Sequence, residues 1–140
     1  LEMTCADIVN TALPHDCRPE MVELSLVLSN NSAIRTLNKQ YRGKDKATNV
    51  LSFPQIAWDD DENFVHPVLN LGDIVIAFET IEQEAAAQNK SFHDHFIHML
   101  AHGLLHLFGY DHIDNDDAAQ MELLEVDILR ALGIKNPYET

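Results

Sequence analysis

The sequence predicts one α+β domain over residues 1–140, on three observations. Val22, Leu24, Leu26 and Leu28 alternate with Glu23, Ser25 and Val27, the period-two pattern of a strand. Ile74-Val75-Ile76 forms a short apolar run suited to a strand buried on both faces. From Glu79 onward the pattern is helical, so the order is helix, strand, helix, two strands, then helices.

Taken in order, Leu1, Cys5, Ile8, Val9 and Ala12 sit close to helical spacing and predict a first helix ended by Pro14. The alternating segment 22–28 is the first strand. Ser29-Asn30-Asn31 offers N-cap oxygens for a helix through Tyr41, and Arg42-Gly43-Lys44-Asp45 reads as a turn. Thr48 to Phe53, stopped by Pro54, is the second strand. Residues 55–69 are acidic and irregular and read as an exposed loop. Leu71 to Phe78 is the third strand. Glu79 to Asn89 is a helix with an alanine run. Ser91 and Asp94 open a long helix from Phe92 to Phe108, which Gly109 stops. The last helix, Asp116 to Leu132, carries Met121, Leu124, Ile128 and Leu132 as a core stripe before Gly133 and Pro137.

Composition narrows the function classes. Apolar residues are 46% of the chain and charged residues 23%, enough for one core without disulfide staples. Cys5 and Cys17 have no ligand-like spacing and read as thiols of a reducing cytosol. No apolar run approaches the roughly 18–20 residues of a membrane span, so no membrane partner is expected and the location is read as cytoplasmic. The formal net charge of −14 argues against general affinity for phosphate. Its distribution softens that argument. Five of the nine basic residues, Arg35, Lys39, Arg42, Lys44 and Lys46, lie together with Asp45 as the one acid among them. From charge alone this is a solvated helix face or a local anion site.

Three histidines carry the chemistry. His102 and His106 are four apart, so both project from one helical face about one turn apart, a natural span for two imidazoles to chelate one ion. A third ligand must come from another direction. Gly109 breaks the helix, and the returning chain can bring His112 to the same ion. Three histidines and an open position are the form of a catalytic zinc site. Affinity for the ion should fall below about pH 6, since imidazole must be neutral to bind and titrates near 6.5 when free.

The spacing H-x3-H-x2-G-x2-H is that of the metzincin metalloproteases, with one difference. Those enzymes place a glutamate directly after the first histidine as general base, and here that position is Gly103. A metal-dependent peptidase or amidase built on this triad would lack its proton acceptor. The ligand scaffold is zincin-like while the chemistry points elsewhere.

The chain resembles the YbeY family, bacterial metal-dependent endoribonucleases of ribosomal RNA maturation. The resemblance rests on Tyr41-Arg42-Gly43-Lys44-Asp45-Lys46, Thr48-Asn49-Val50-Leu51-Ser52-Phe53-Pro54, Leu71-Gly72-Asp73, the run His102 to His112, Leu132-Gly133 and Pro137-Tyr138. It covers roughly residues 21–138. Family members usually open on a strand before the first helix, whereas this chain enters on the helix. The implied fold is zincin-like α+β, a small mixed sheet of three to four strands packed with about five helices. The implied cofactor is one zinc ion per chain at His102, His106 and His112, with nickel or another divalent metal able to take its place.

The implied activity is single-strand-specific endoribonuclease action on ribosomal RNA, at the 16S 3′ end and in ribosome quality control. The implied partners are the small ribosomal subunit and its assembly factors. A non-catalytic assembly factor with a structural metal is the other reading. Arg42 matches the arginine the family treats as functional, which turns the basic stretch into an RNA contact. Its planar fork suits phosphate oxygens, and Lys44 and Lys46 would add sequence-independent attraction. The nucleophile is either water at the ion or the RNA 2′-OH. His98, one turn before His102, either lines the site as a proton donor or RNA contact, or serves as a structural partner. Asp73 and Asp111 are candidates to orient a ligand imidazole, and Trp58 is a candidate base-stacking platform.

Overall fold

Three strands make one mixed sheet in the order β1 (Met21–Ser29), β3 (Val68–Ala77), β2 (Val50–Pro54). The structure is a computed structural model, and it describes residues 2–12, 21–55, 68–110 and 115–138. Central β3 runs parallel to β1 and antiparallel to β2. The described residues also form five helices: α1 (Glu2–Ala12), α2 (Asn31–Arg42), α3 (Phe78–Ala87), α4 (Phe92–Leu107) and α5 (Asn115–Ala131). The α+β class, the mixed sheet and the helix count agree with the sequence reading.

The apolar run of β3 serves two layers, as a central strand must. Ile74 and Ile76 point into the main core, shared with Ile8 and Val9 of α1, Leu100 and Leu104 of α4, and Met121 and Ile128 of α5. Val75 and Ala77 point the other way, against Ile34 and Leu37 of α2 with Leu51 and Phe53 of β2. The sheet therefore lies between α2 on one face and α4 on the other. Helix α4 is buried over most of its length, from His95 through Leu107, because sheet, α1, α3 and α5 all pack on it.

Boundaries follow local chemistry. The Asn30 side chain caps α2 by accepting from the Ala33 N–H at 2.8 Å. Helix α2 runs one residue past Tyr41, so Arg42 is its last residue rather than part of a turn. Gly43 follows with φ +69°, and its N–H returns to the Lys39 carbonyl. Ser91 caps α4 through the Asp94 N–H at 3.1 Å, and Gly109 takes φ +91° after its end.

The acidic loop expected over 55–69 is a correction in part. Residues 56–67, Trp58 among them, lie outside the described residues, but Val68 and Leu69 belong to β3. They are held there by pairing with Met21 and Val22, partners more than forty positions away that no local pattern reveals. The register skips Leu71 between the Glu23–Asn70 and Leu24–Gly72 pairs, a bulge next to Gly72 at φ +123°.

Candidate metal centre and cleft

Helix α4 carries His102 and His106 on one stripe, and their Nε2 atoms converge to 3.1 Å. The other nitrogen of each ring faces an acceptor. His106 Nδ1 lies 2.9 Å from the Tyr110 carbonyl, which the chain presents after turning at Gly109. His102 Nδ1 hydrogen-bonds the Glu125 carboxylate on α5. A carbonyl and an ionised carboxylate only accept, so each Nδ1 is the ring's donor and each Nε2 is the nitrogen turned toward the other ring. Two imidazole nitrogens turned to one spot fit a cation. A tetrahedral zinc with Zn–N bonds of 2.0–2.1 Å would set its nitrogens about 3.3 Å apart. Among the described residues no group of three ligand side chains forms. The third expected ligand, His112, lies outside them, as does Asp111.

These imidazoles open onto a cleft of about 540 Å³, lined also by Arg42, Thr48, Asn49, Ser52 and Tyr110. Arg42 thus lines the same cleft as the histidines, although it precedes them by sixty residues. Its position rests on the end of α2. Buried Asn38 donates its amide to the Lys46 carbonyl at 2.9 Å and so holds the loop that follows Arg42. The acid of the basic stretch is already engaged: Asp45 bonds Arg35 at 2.8 Å and approaches Lys39 at 4.0 Å. Among the described residues no acid pairs with Arg42. Lys44 and Lys46 are exposed on the same loop and do not line the cleft.

Gly103 has a packing reason. Helix α4 crosses β2 and β3 at this point, and the Gly103 carbonyl accepts from Ser52 Oγ at 2.9 Å. A Cβ at 103 would come within 3.0 Å of Val50 Cγ2, 3.2 Å of Ser52 Oγ and 3.3 Å of Ile74 Cγ2. The side chain a peptidase needs here points into the sheet, not into the cleft. Gly103→Ala is expected to lower stability. Overpacking costs about 1–3 kcal/mol against a helix-propensity gain of about 1 kcal/mol. The measurement is Tm, with a fall of a few degrees expected.

His98 does not line this cleft. It borders a second cavity of about 370 Å³, near Lys90, His95 and Lys135. Its Nε2 lies 3.8 Å from Glu125 Oε2 and 3.5 Å from the Tyr138 hydroxyl. The acid on His102 Nδ1 is Glu125 rather than the candidate Asp73, and the other candidate, Asp111, lies outside the described residues. Sequence reasoning passed over Glu125 and Tyr138. The signal was available: Glu125 sits between Leu124 and Ile128 on the core stripe of α5, and an acid at a core position needs a partner. Glu125 is fully buried. Burial works to raise its pKa, but the hydrogen bonds from His102 and Tyr138, with the His98 ring close by, outweigh it and draw the carboxyl down to about 2. Burial and the Glu125 carboxylate together push the Tyr138 hydroxyl up.

Comparisons with known proteins bear on the family and the fold. A family model described as Endoribonuclease YbeY matches residues 1–133. A protein named Endoribonuclease YbeY from Paramagnetospirillum magneticum is 47% identical over 140 residues, covering 98% of this chain and 84% of that protein. One of the same name from Agrobacterium fabrum is 54% identical over 121 residues, covering 86% of this chain and 70% of its own. A solution structure of a Thermotoga maritima protein superposes with a TM-score of 0.55 at 22% identity, over 99% of this chain and 89% of that one. The last supports the fold alone.

Proposed function

The chain belongs to the endoribonuclease YbeY family, and from that premise we propose that it is a zinc-dependent endoribonuclease specific for single-stranded RNA. Its substrate is ribosomal RNA undergoing maturation, with the 16S 3′ end and ribosome quality control as its setting. The observation that carries this reading is one cleft lined both by Arg42 and by two imidazoles whose Nε2 atoms converge.

His102 and His106 would hold the ion through Nε2, and His112 is the proposed third ligand. Zinc when bound supplies a Lewis acid and a water of lowered pKa. Arg42 binds the scissile phosphate from across the cleft with two parallel N–H donors and stabilises the charge that builds on its oxygens. Lys44 and Lys46 attract the RNA backbone without reading its sequence. Ser52 and Tyr110 fix the walls, Ser52 by its bond to the Gly103 carbonyl and Tyr110 by its carbonyl on His106. Packing at Gly103 leaves no room for the glutamate of a zincin peptidase, which favours RNA over peptide chemistry. The reading implies a cytoplasmic protein that meets the small ribosomal subunit and its assembly factors. Among the described residues no helix is long and apolar enough to cross a membrane.

The test pairs metal content with single-turnover cleavage of a single-stranded RNA by rigorously purified protein. One equivalent of zinc is expected in the parent chain. His102→Ala is expected to lose both the metal and cleavage, and His112→Ala likewise. RNA cleavage that persists in His102→Ala at the parent rate would overturn the proposal. The product ends add the nucleophile: a 2′,3′-cyclic phosphate identifies the RNA 2′-OH.

A further inference from the structure

The cluster behind the metal-facing imidazole reaches from α4 to the end of the chain. Glu125 on α5 accepts from His102 through Oε1 and from the Tyr138 hydroxyl through Oε2. His98, one turn up α4 from His102, closes the group against both Glu125 and Tyr138. The Glu125 side chain is about 1% exposed, so the structure carries a carboxylate where burial alone would be costly. Two donors, one on each oxygen, compensate for that cost, and the His98 ring stands beside them. The donors come from two elements far apart in sequence, and Tyr138 lies after α5 has ended.

We infer that Glu125 is a positioning residue for the metal centre, held by Tyr138 and His98, and that it works by fixing His102 with Nδ1 on the carboxylate and Nε2 directed toward the ion. This rests on the metal reading above. The physical argument has two parts. Orientation comes first: the Glu125–His102 hydrogen bond stops ring rotation about χ2, which would otherwise exchange a lone pair for an N–H or a carbon at the ion. Charge comes second: a carboxylate on the far nitrogen makes the near one a stronger donor to a cation. The Tyr138 hydroxyl takes up the second carboxylate oxygen and keeps the first directed at His102. By this account the C-terminal turn, with Tyr138 N bonded to Asn136 Oδ1 at 2.8 Å, belongs to the metal centre through Glu125. His106 needs no such device, because the Tyr110 carbonyl serves it from the adjacent turn.

Glu125→Gln keeps an acceptor oxygen for His102 and removes the charge; Glu125→Ala removes both. Tyr138→Phe removes one donor and leaves the carboxylate. The readout is zinc affinity of the folded protein, measured by competition with a chromophoric chelator, beside apo-protein Tm and the visible spectrum of the cobalt-loaded chain. Glu125→Ala is expected to weaken zinc by about 10- to 100-fold, with Glu125→Gln intermediate and Tyr138→Phe mildest. The cobalt spectrum should shift in Glu125→Ala and stay near parent in Glu125→Gln. A purely structural role would change Tm and leave the affinity of the folded fraction untouched, so unchanged zinc affinity in both Glu125 variants overturns the inference. A parent chain that takes up no zinc would sink the metal reading as well.

Discussion

Arg42→Ala is expected to reduce single-turnover RNA cleavage by about 100- to 1,000-fold while leaving zinc content and Tm at parent values. The separation of effects follows from position. Arg42 is the last residue of α2, exposed, and makes no ion pair with a described acid, so its removal breaks nothing that holds the fold. It lines the cleft from α2, whereas His102 and His106 stand on α4 with Glu125 and the Tyr110 carbonyl on their Nδ1 atoms. What it offers the cleft is an uncompensated, permanently charged fork, because Arg35 and Lys39 have already drawn Asp45 away. Arg42→Lys should recover little of the rate, since an ammonium supplies a point charge without the paired donors. Lys44→Ala should act differently. It should weaken RNA binding across sequences and reduce the salt dependence of binding, with the chemical step nearly unchanged. Cleavage by Arg42→Ala at the parent rate would remove the phosphate contact from the mechanism and return the basic stretch to a docking surface.

Gly72→Ala is expected to cost about 3 kcal/mol or more and to abolish cleavage by dismantling the cleft rather than its chemistry. Gly72 adopts φ +123°, a region that L side chains rarely enter. A Cβ there would stand 2.1 Å from the Phe53 carbonyl oxygen and 3.1 Å from the Gln55 N–H nitrogen. Both obstacles are backbone, so no side chain can swing away. Relief requires β2 to leave β3, at the Pro54–Gly72 pair where the antiparallel ladder ends. Val50, Leu51 and Ser52 of β2 line the cleft, and Ser52 ties the strand to α4 through the Gly103 carbonyl. Loss of the ladder therefore opens the wall that faces the histidines. Urea denaturation should show a lower midpoint, and any folded fraction should bind zinc more tightly than it cleaves RNA, since His102 and His106 sit on α4 alone. A Gly72→Ala chain with parent stability would mean that the bulge at Leu71 can shift to accept a side chain.

The two substitutions fail for reasons visible at different levels. Much of the fold was legible one element at a time. Period-two alternation marked β1, the apolar run marked β3, and caps at Asn30 and Ser91 marked α2 and α4, because those signals are local and the structure uses them locally. The His102–His106 pair was legible for the same reason: helical spacing alone puts two imidazoles on one face. Gly103 was legible as the absence of a general base, though not as a packing requirement.

Other features depended on partners distant in sequence. Val68 and Leu69 read as loop because their strand partners stand at Met21 and Val22. Arg42 could be named from the sequence but not placed, since only the packing of α2 and β2 on the sheet brings it to the cleft wall. Glu125 and Tyr138 escaped notice because an isolated acid on a helix and a tyrosine past its end carry no periodic signal. Their meaning arises where α5, the C-terminal turn and α4 meet, and His102 supplies the partner that a buried carboxylate requires. The sequence by itself determined which residues could bind a metal and where most elements would form. Only the tertiary structure decided which basic side chain shares a cleft with the paired imidazoles and which carboxylate bonds one of them. Periodicity is a property of neighbours three or four residues apart, whereas a site is built by side chains that the chain brings together from its whole length.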